Sequence, residues 1–176
     1  MSSSGENWME AGIRAYNPLA AVQYASTYWN GANRAYRFFH DDCTNFISQC
    51  LHAGGLPMVF SSKSGREWWY RRGAKGHSWS YSWTVAHAFH HMLQAGGPTG
   101  RCRRLSSPAE LRLGDVICYD FEGDGRWNHN TIVTGFDAAG QPLVTAHTYN
   151  CHNRRWEYYD SVAYTPRIRY DFFHIS

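Results

Sequence analysis

Ten histidines and five cysteines in 176 residues offer several nucleophiles and bases, and their setting narrows the choice. Cys43 stands in the stretch from His40 to Gly55, whose punctuation is helical. Asp41 or Asp42 can cap the first turn, and Gly54 follows the last periodic residue, the usual place for a left-handed C-terminal cap. Between them Cys43, Phe46, Ile47, Cys50 and Leu51 recur at i, i+3, i+4, i+7 and i+8, one apolar stripe facing a core. A cysteine that opens such a helix sits at the positive end of the macrodipole beside unpaired N–H groups, which favours its thiolate. Cys50, two turns on, gains little from the same field. The alternative, a small apolar residue that only packs, stays open until a base is found for Cys43.

A thiolate nucleophile needs a proton partner, and that partner needs an orienting group. The segment His129 to Phe136 alternates with β-branched residues and Leu143 to Thr148 reads as a second strand, with Asp137-Ala-Ala-Gly-Gln141 as the turn between them. Gly140 falls where a type I turn with a bulge wants a left-handed residue, making Asp137 and Gln141 the flanking pair. That register sets Thr131 opposite His147 and puts His129 on the same face, diagonal to His147 and about 7 to 8 Å away. A one-residue slip would bring Asn150 opposite His129 instead, leaving it as the second choice for the orienting role.

These residues need helices and strands to carry them, and the chain divides accordingly. The opening residues 1–12 are rich in Ser, Gly and Glu and are expected to be disordered. Asn17-Pro18 reads as N-cap and first helical position, with a helical face running to Asn30-Gly31, and a short helical run is expected from Arg34 to Phe39. Ser82 or Thr84 can cap a further helix through Leu93. In the second half the period changes: Val116 to Asp120, the hairpin above, Trp156 to Tyr159 and Arg167 to His174 read as strands. Helices first and an antiparallel sheet second is an α+β arrangement, and residues 13–176 are expected to form a single domain.

Composition excludes several function classes. Net charge is +3 with no block of like charges, too weak a footprint for nucleic acid. No run is long and apolar enough to span a membrane, and the N-terminus has neither a basic nor an apolar signal region; the expectation is a cytoplasmic protein, or a domain excised from a larger exported one. Five cysteines is an odd count without a C-x-x-C pair, which favours a free thiol over a disulfide framework. Asp120 to Gly125 has the first ligand positions of a calcium loop, but Thr131 stands where its closing Glu belongs; Cys102, Cys118, Cys151, His152 and the His87, His90, His91 group lack zinc spacing. No metal or other cofactor is expected.

The stretch Asp42-Cys43-Thr44-Asn45-Phe46-Ile47-Ser48-Gln49-Cys50-Leu51, followed by Ala53-Gly54-Gly55, closely resembles the signature of the putative amidase domain family of Gram-positive bacteria. So do Asn17-Pro-x-Ala-Ala-Val-x-Tyr-Ala, Trp68-Trp69-Tyr70, Gly114-Asp115-Val116-Ile117-x-Tyr-Asp120, Gly123-Asp124-Gly125 with Trp127 before His129, and Ala146-His147-Thr148. That family in turn looks like the NlpC/P60 and CHAP branch of papain-like cysteine peptidases and amidases. The resemblance implies a papain-like (NlpC/P60-like) fold with N-terminal helices packed on a C-terminal antiparallel sheet. It also implies a catalytic trio of Cys43 as nucleophile, His129 as base and His147 as orienting residue. One departure is Asn130, where the resemblance leads one to expect Ser.

The activity implied is hydrolysis of an amide bond by acyl transfer through Cys43, on a cell-wall peptide or a related peptide or peptidoglycan-like substrate. Exposed rings among Trp68, Trp69, Tyr70 and Trp127 could floor a peptide or glycan groove, and Trp69 and Trp127 are the candidates for substrate contact; packing is the alternative for each. The rival reading is a catalytically inactive papain-like module that binds cell-wall material or a protein partner through the same rings.

Overall fold

A computed structural model describes residues 15–176, so the expectation of disorder over residues 1–12 lies outside the described residues. Helix α1 (Pro18–Tyr28) begins as its sequence predicts: the Asn17 side chain accepts the Ala20 N–H at 3.1 Å and Pro18 takes the first turn. Helix α2 (Cys43–Ala53) follows, and no helix forms over Arg34 to Phe39, where Asn33 caps turns through the Ala35 and Tyr36 N–H groups. A two-stranded hairpin, β1 (Tyr70–Gly73) with β2 (Gly76–Trp79), and two short helices, α3 (Tyr81–Thr84) and α4 (Ala86–Gln94), complete the first half. The single helix expected through this last region is divided at Val85, whose backbone is extended (φ −108°, ψ 119°).

The second half is one antiparallel sheet of six strands in the order β3-β8-β4-β5-β6-β7, built from β3 (Arg103–Leu105), β4 (Val116–Asp120), β5 (His129–Phe136), β6 (Pro142–Ala146), β7 (Cys151–Arg155) and β8 (Arg169–His174). The expected α+β arrangement is therefore the observed one. Trp156 to Tyr159 is a turn and not a strand; the last pairing on that edge is made by Cys151 to Arg155 instead.

Strand β4 is buried along its whole length because the sheet is covered on both faces. Val116 and Cys118 join Phe46, Ile47, Cys50 and Leu51 of α2 in one core, whereas Ile117 and Tyr119 join Val133, Val144, Phe172 and Tyr158 in another. Strand alternation explains this division, since successive side chains point to opposite faces.

Helix α2 is enclosed all round, beyond the stripe its periodicity implies. Its polar residues are buried too and each has a partner. Asn45 accepts the Trp83 Nε1–H at 3.0 Å, Ser48 accepts the Trp68 Nε1–H at 3.0 Å, and Gln49 accepts the Tyr24 hydroxyl at 2.7 Å. A helix with so many fixed neighbours cannot rotate without breaking hydrogen bonds inside a low-dielectric interior. At its far end the left-handed residue is Gly55 (φ 95°), while Gly54 stays right-handed (φ −72°) and lies so close to the Tyr16 ring that a Cβ there would overlap it.

Candidate active site

Cys43 is the first residue of α2, and its sulfur has three hydrogen-bonding neighbours. The Thr44 hydroxyl lies 3.7 Å away, and the backbone N–H groups of Asn130 and Thr44 also point to the sulfur. Thr44 is held in turn by the Asn130 side chain, whose Nδ2 donates to the hydroxyl at 2.9 Å and leaves the hydroxyl proton free for the sulfur. Burial nevertheless dominates and pushes the Cys43 thiol up from its ordinary value, with the Asp42 carboxylate adding to the rise. The helix N-terminus alone does not reverse that rise.

Asp42 occupies the N-cap position but makes no side-chain cap hydrogen bond. Its carboxylate goes to His147, with Nδ1 at 2.8 Å from Oδ2. The other ring nitrogen, Nε2, is 2.7 Å from the Tyr28 carbonyl oxygen, and the ring lies flat on Phe46 with centroids 3.8 Å apart at 8°. The carboxylate on one side and the carbonyl on the other give each ring nitrogen an acceptor within hydrogen-bond distance, which fixes the ring between Asp42 and Tyr28. Both side chains are largely buried, with exposures of 7% for His147 and 13% for Asp42.

His129 is elsewhere. It lies among Tyr119, Phe121 and Tyr158, and its Nε2 is 3.0 Å from the Tyr158 hydroxyl. Burial, with the positive charge of Arg154 second, pushes this imidazole down to about 3. It is neutral across the physiological range. When the Tyr158 oxygen accepts the Nε2 proton, Nδ1 carries the lone pair and is the basic atom.

The expected pairing of His129 with His147 is thus corrected, and the reason is one residue of register. The turn forms as expected, with Asp137 N–H donating to the Gln141 carbonyl at 2.9 Å, and Phe136 pairs with Pro142. A bulge at Thr134 then shifts the ladder, so that Ile132 faces Thr145 and Val133 faces Val144. A one-residue slip moves every later side chain to the opposite face. Ile132 belongs to the α2 core and carries Thr145 and His147 to that side, whereas His129 shares the other face with Val133. Asn150 does not replace His147 as partner: it is exposed in the turn after β6, beside the Asp42 and His147 pocket.

Cys43 and His129 come to one pocket where α2 starts beside the first residues of β5. Both line a small pocket of about 260 Å³ that also contains Tyr158 and Arg154. Cys43 also lines a wider cleft of about 790 Å³ with Trp127, His87 and His91. Trp127 is buried at the cleft wall and stacks on His90 at 4.1 Å. Trp69 does not line the cleft; its indole donates to Glu67 at 2.9 Å and stacks on Phe60. Asp120, the first residue of the calcium-loop pattern, accepts the Gly123 and Gly125 N–H groups at 2.8 Å each and is taken up by the turn. Among the described residues no group of three or more His, Cys, Asp or Glu side chains is arranged to hold a metal ion, and no helix is long and apolar enough to cross a membrane.

Tyr158 and Asn130 are the site residues that sequence reasoning missed. Tyr158 comes from a turn with no recognisable pattern and a left-handed backbone (φ 63°); only the tertiary fold brings it to His129. Asn130 had a signal, its position next to His129 and its departure from the expected Ser, but nothing in the sequence tied it to Thr44.

Two curated relatives are similar to the chain. The uncharacterized protein YhbB of Bacillus subtilis (strain 168) is 54% identical over 175 residues, covering 98% of this chain and 55% of the relative. The uncharacterized protein YjcM of the same organism is 32% identical over 159 residues, covering 85% of this chain and 35% of the relative. The chain therefore spans about half or less of the length of these relatives. No solved structure matches it at a significant level. The putative amidase domain family matches residues 15–173, from just before α1 to the last strand, and the chain belongs to that family.

Proposed function

We propose that the protein is a cysteine-dependent amide-bond hydrolase of papain-like type, related to the NlpC/P60 and CHAP enzymes, acting on cell-wall peptide or a related peptide amide. The observation that carries this reading is the shared pocket of Cys43 and His129 at the opening of α2. With the thiol pushed up and the imidazole pushed down, the pair rests neutral and the proton moves only as the sulfur attacks. The Cys43 sulfur bonds to the amide carbonyl carbon as its proton passes to His129 Nδ1. His129 then gives that proton to the leaving amine as the C–N bond breaks, leaving a thioester. Water attacks the thioester, loses a proton to His129 and releases the acid, and the thiol is restored. The Cys43 N–H, in the first turn of α2 where N–H groups lack intrahelical acceptors, is the donor offered to the developing oxyanion.

Tyr158 replaces His147 as the orienting residue for the base in this mechanism, and His147 acts at one remove by fixing Asp42 and so the start of α2. The test is a digest of purified peptidoglycan and a panel of peptide amides with wild type, Cys43→Ala and Tyr158→Phe, read by mass spectrometry. Products in wild type and none in Cys43→Ala are expected, with Tyr158→Phe slowed about 10- to 100-fold by loss of one oriented hydrogen bond to the base. Products that persist in Cys43→Ala would overturn the nucleophile. Tight binding of wall fragments without any Cys43-dependent product would favour the inactive binding module.

A further inference from the structure

The pocket of about 260 Å³ is lined, besides Cys43, His129 and Tyr158, by Arg154, the one Lys or Arg among its lining residues, and by Asp41, the one Asp or Glu, whose side chain is exposed to solvent. Its size suits a single residue, whereas the wider cleft that Cys43 also lines has about three times the volume. Both contain Asp41, Cys43 and Asn128, so a substrate amide held at the Cys43 sulfur would extend into both, with one residue on the Arg154 side. Arg154 is fixed in place: its guanidinium carbon lies 4.2 Å above the Tyr158 ring, and the side chain is only 19% exposed.

Its existing partner is a weak one. Asp160 is 75% exposed and accepts from Nε at 3.1 Å and Nη2 at 2.8 Å through the single oxygen Oδ1. Such a solvent-held pair is weak, and it uses two of the five N–H donors that a guanidinium carries. The remaining donors are available to a second carboxylate, which on entering the pocket would be desolvated and bound bidentately.

We propose that this pocket is a carboxylate-reading subsite: the preferred substrate of the hydrolase reading on which this rests is a peptide amide bearing a carboxylate one residue from the scissile bond, bound by Arg154. The carboxylate belongs either to the free terminus of the leaving amino acid or to the side chain of the acyl residue. Docking it also offsets the positive charge that, after burial, holds the His129 imidazole down, so the same contact that selects the substrate makes the base stronger.

The experiment compares paired peptide substrates in the full chain. One arm is a mixed-sequence acetyl-dipeptide library as free acids against the same library as C-terminal amides; the other replaces Glu by Gln at the acyl residue of C-terminally amidated peptides. Cys43-dependent kcat/KM is expected to favour the acid member of one arm at least about 10-fold, the size of a charged hydrogen bond. In Arg154→Gln that ratio should fall to about one, and in Asp160→Asn it should rise. Ratios within one variant cancel differences in folded fraction. The same pairs are titrated by NMR against Cys43→Ala and Cys43→Ala/Arg154→Gln, where no turnover intervenes. Loss of acid preference on removing Arg154, in rate or in binding, supports the subsite. Acid and amide handled alike by the wild-type chain, or a preference that survives Arg154→Gln, overturns it. Acid-selective binding without turnover retains the subsite and removes the hydrolase; Cys43-dependent turnover without acid preference does the reverse.

Discussion

Replacing His147 by Leu separates the two roles that His147 could have. Leu keeps apolar contact with Phe46 but removes both ring nitrogens, leaving the Asp42 carboxylate and the Tyr28 carbonyl without the partners they have at 2.8 and 2.7 Å. Removing the partner of a buried carboxylate costs about 3 to 5 kcal/mol, because the remaining charge stays buried and uncompensated. Asp42 retains 13% side-chain exposure, so water recovers part of that, and the lower end, about 3 kcal/mol, is the expected loss for the pair. The orphaned carbonyl adds about 1 kcal/mol. With a urea m-value of about 2 kcal/mol per molar, a loss near 4 kcal/mol moves the unfolding midpoint down by about 2 M.

The assay is equilibrium urea unfolding of wild type, His147→Leu, Asp42→Ala and the double variant. A coupling energy between the two sites of about 1.5 kcal/mol or more is expected, since the double variant removes the stranded charge along with its partner. An orienting role for His147 toward His129 makes the opposite forecast, with stability retained and turnover lost. A midpoint shift under about 0.3 M for His147→Leu, or a coupling energy below about 0.5 kcal/mol, would refute the assignment of His147 to the anchoring of α2.

Two further outcomes follow from the raised thiol and the lowered imidazole. Cys43 keeps some exposure whereas Cys50 and Cys118 are fully buried and pushed far up, so iodoacetamide should label Cys43 ahead of both, with a rate that climbs with pH to beyond the ordinary cysteine value near 9; a rate already at its plateau at pH 6 would mean a preformed thiolate–imidazolium pair and contradict the neutral one. His129 binds fewer protons folded than unfolded between about 3 and its ordinary value of 6.5, so stability rises with pH across that window and is lost as pH falls through it, by about 1.4 kcal/mol per pH unit for one proton. His129→Gln should remove that part of the slope in urea unfolding measured from pH 7 to pH 4, and an unchanged slope would show that the imidazole is not held neutral.

The sequence by itself determined what local chemistry controls. Asn17-Pro18 starts α1, the apolar stripe from Cys43 to Leu51 makes α2 with Cys43 as its first residue, and Val116 to Asp120 and His129 to Phe136 have the bounds of β4 and β5. Each depends on capping, periodicity or turn residues within a few positions, and those are written in the chain. The Asp137 to Gln141 turn was legible for the same reason, but the bulge at Thr134 was not, because Thr has no intrinsic demand for it. Thr134 bonds Thr145 at 2.7 Å and Asn153 at 2.8 Å across three strands, an arrangement that exists only once β6 and β7 are docked. That one shift decided which face His147 occupies, and with it the partner of His129. The tertiary structure also gave Asp42 to His147 instead of the helix cap and raised the Cys43 thiol against the helix field. Both outcomes depend on burial among residues far apart in the chain, 105 positions for Asp42 with His147 and 86 for Thr44 with Asn130, distances over which neither propensity nor spacing carries information.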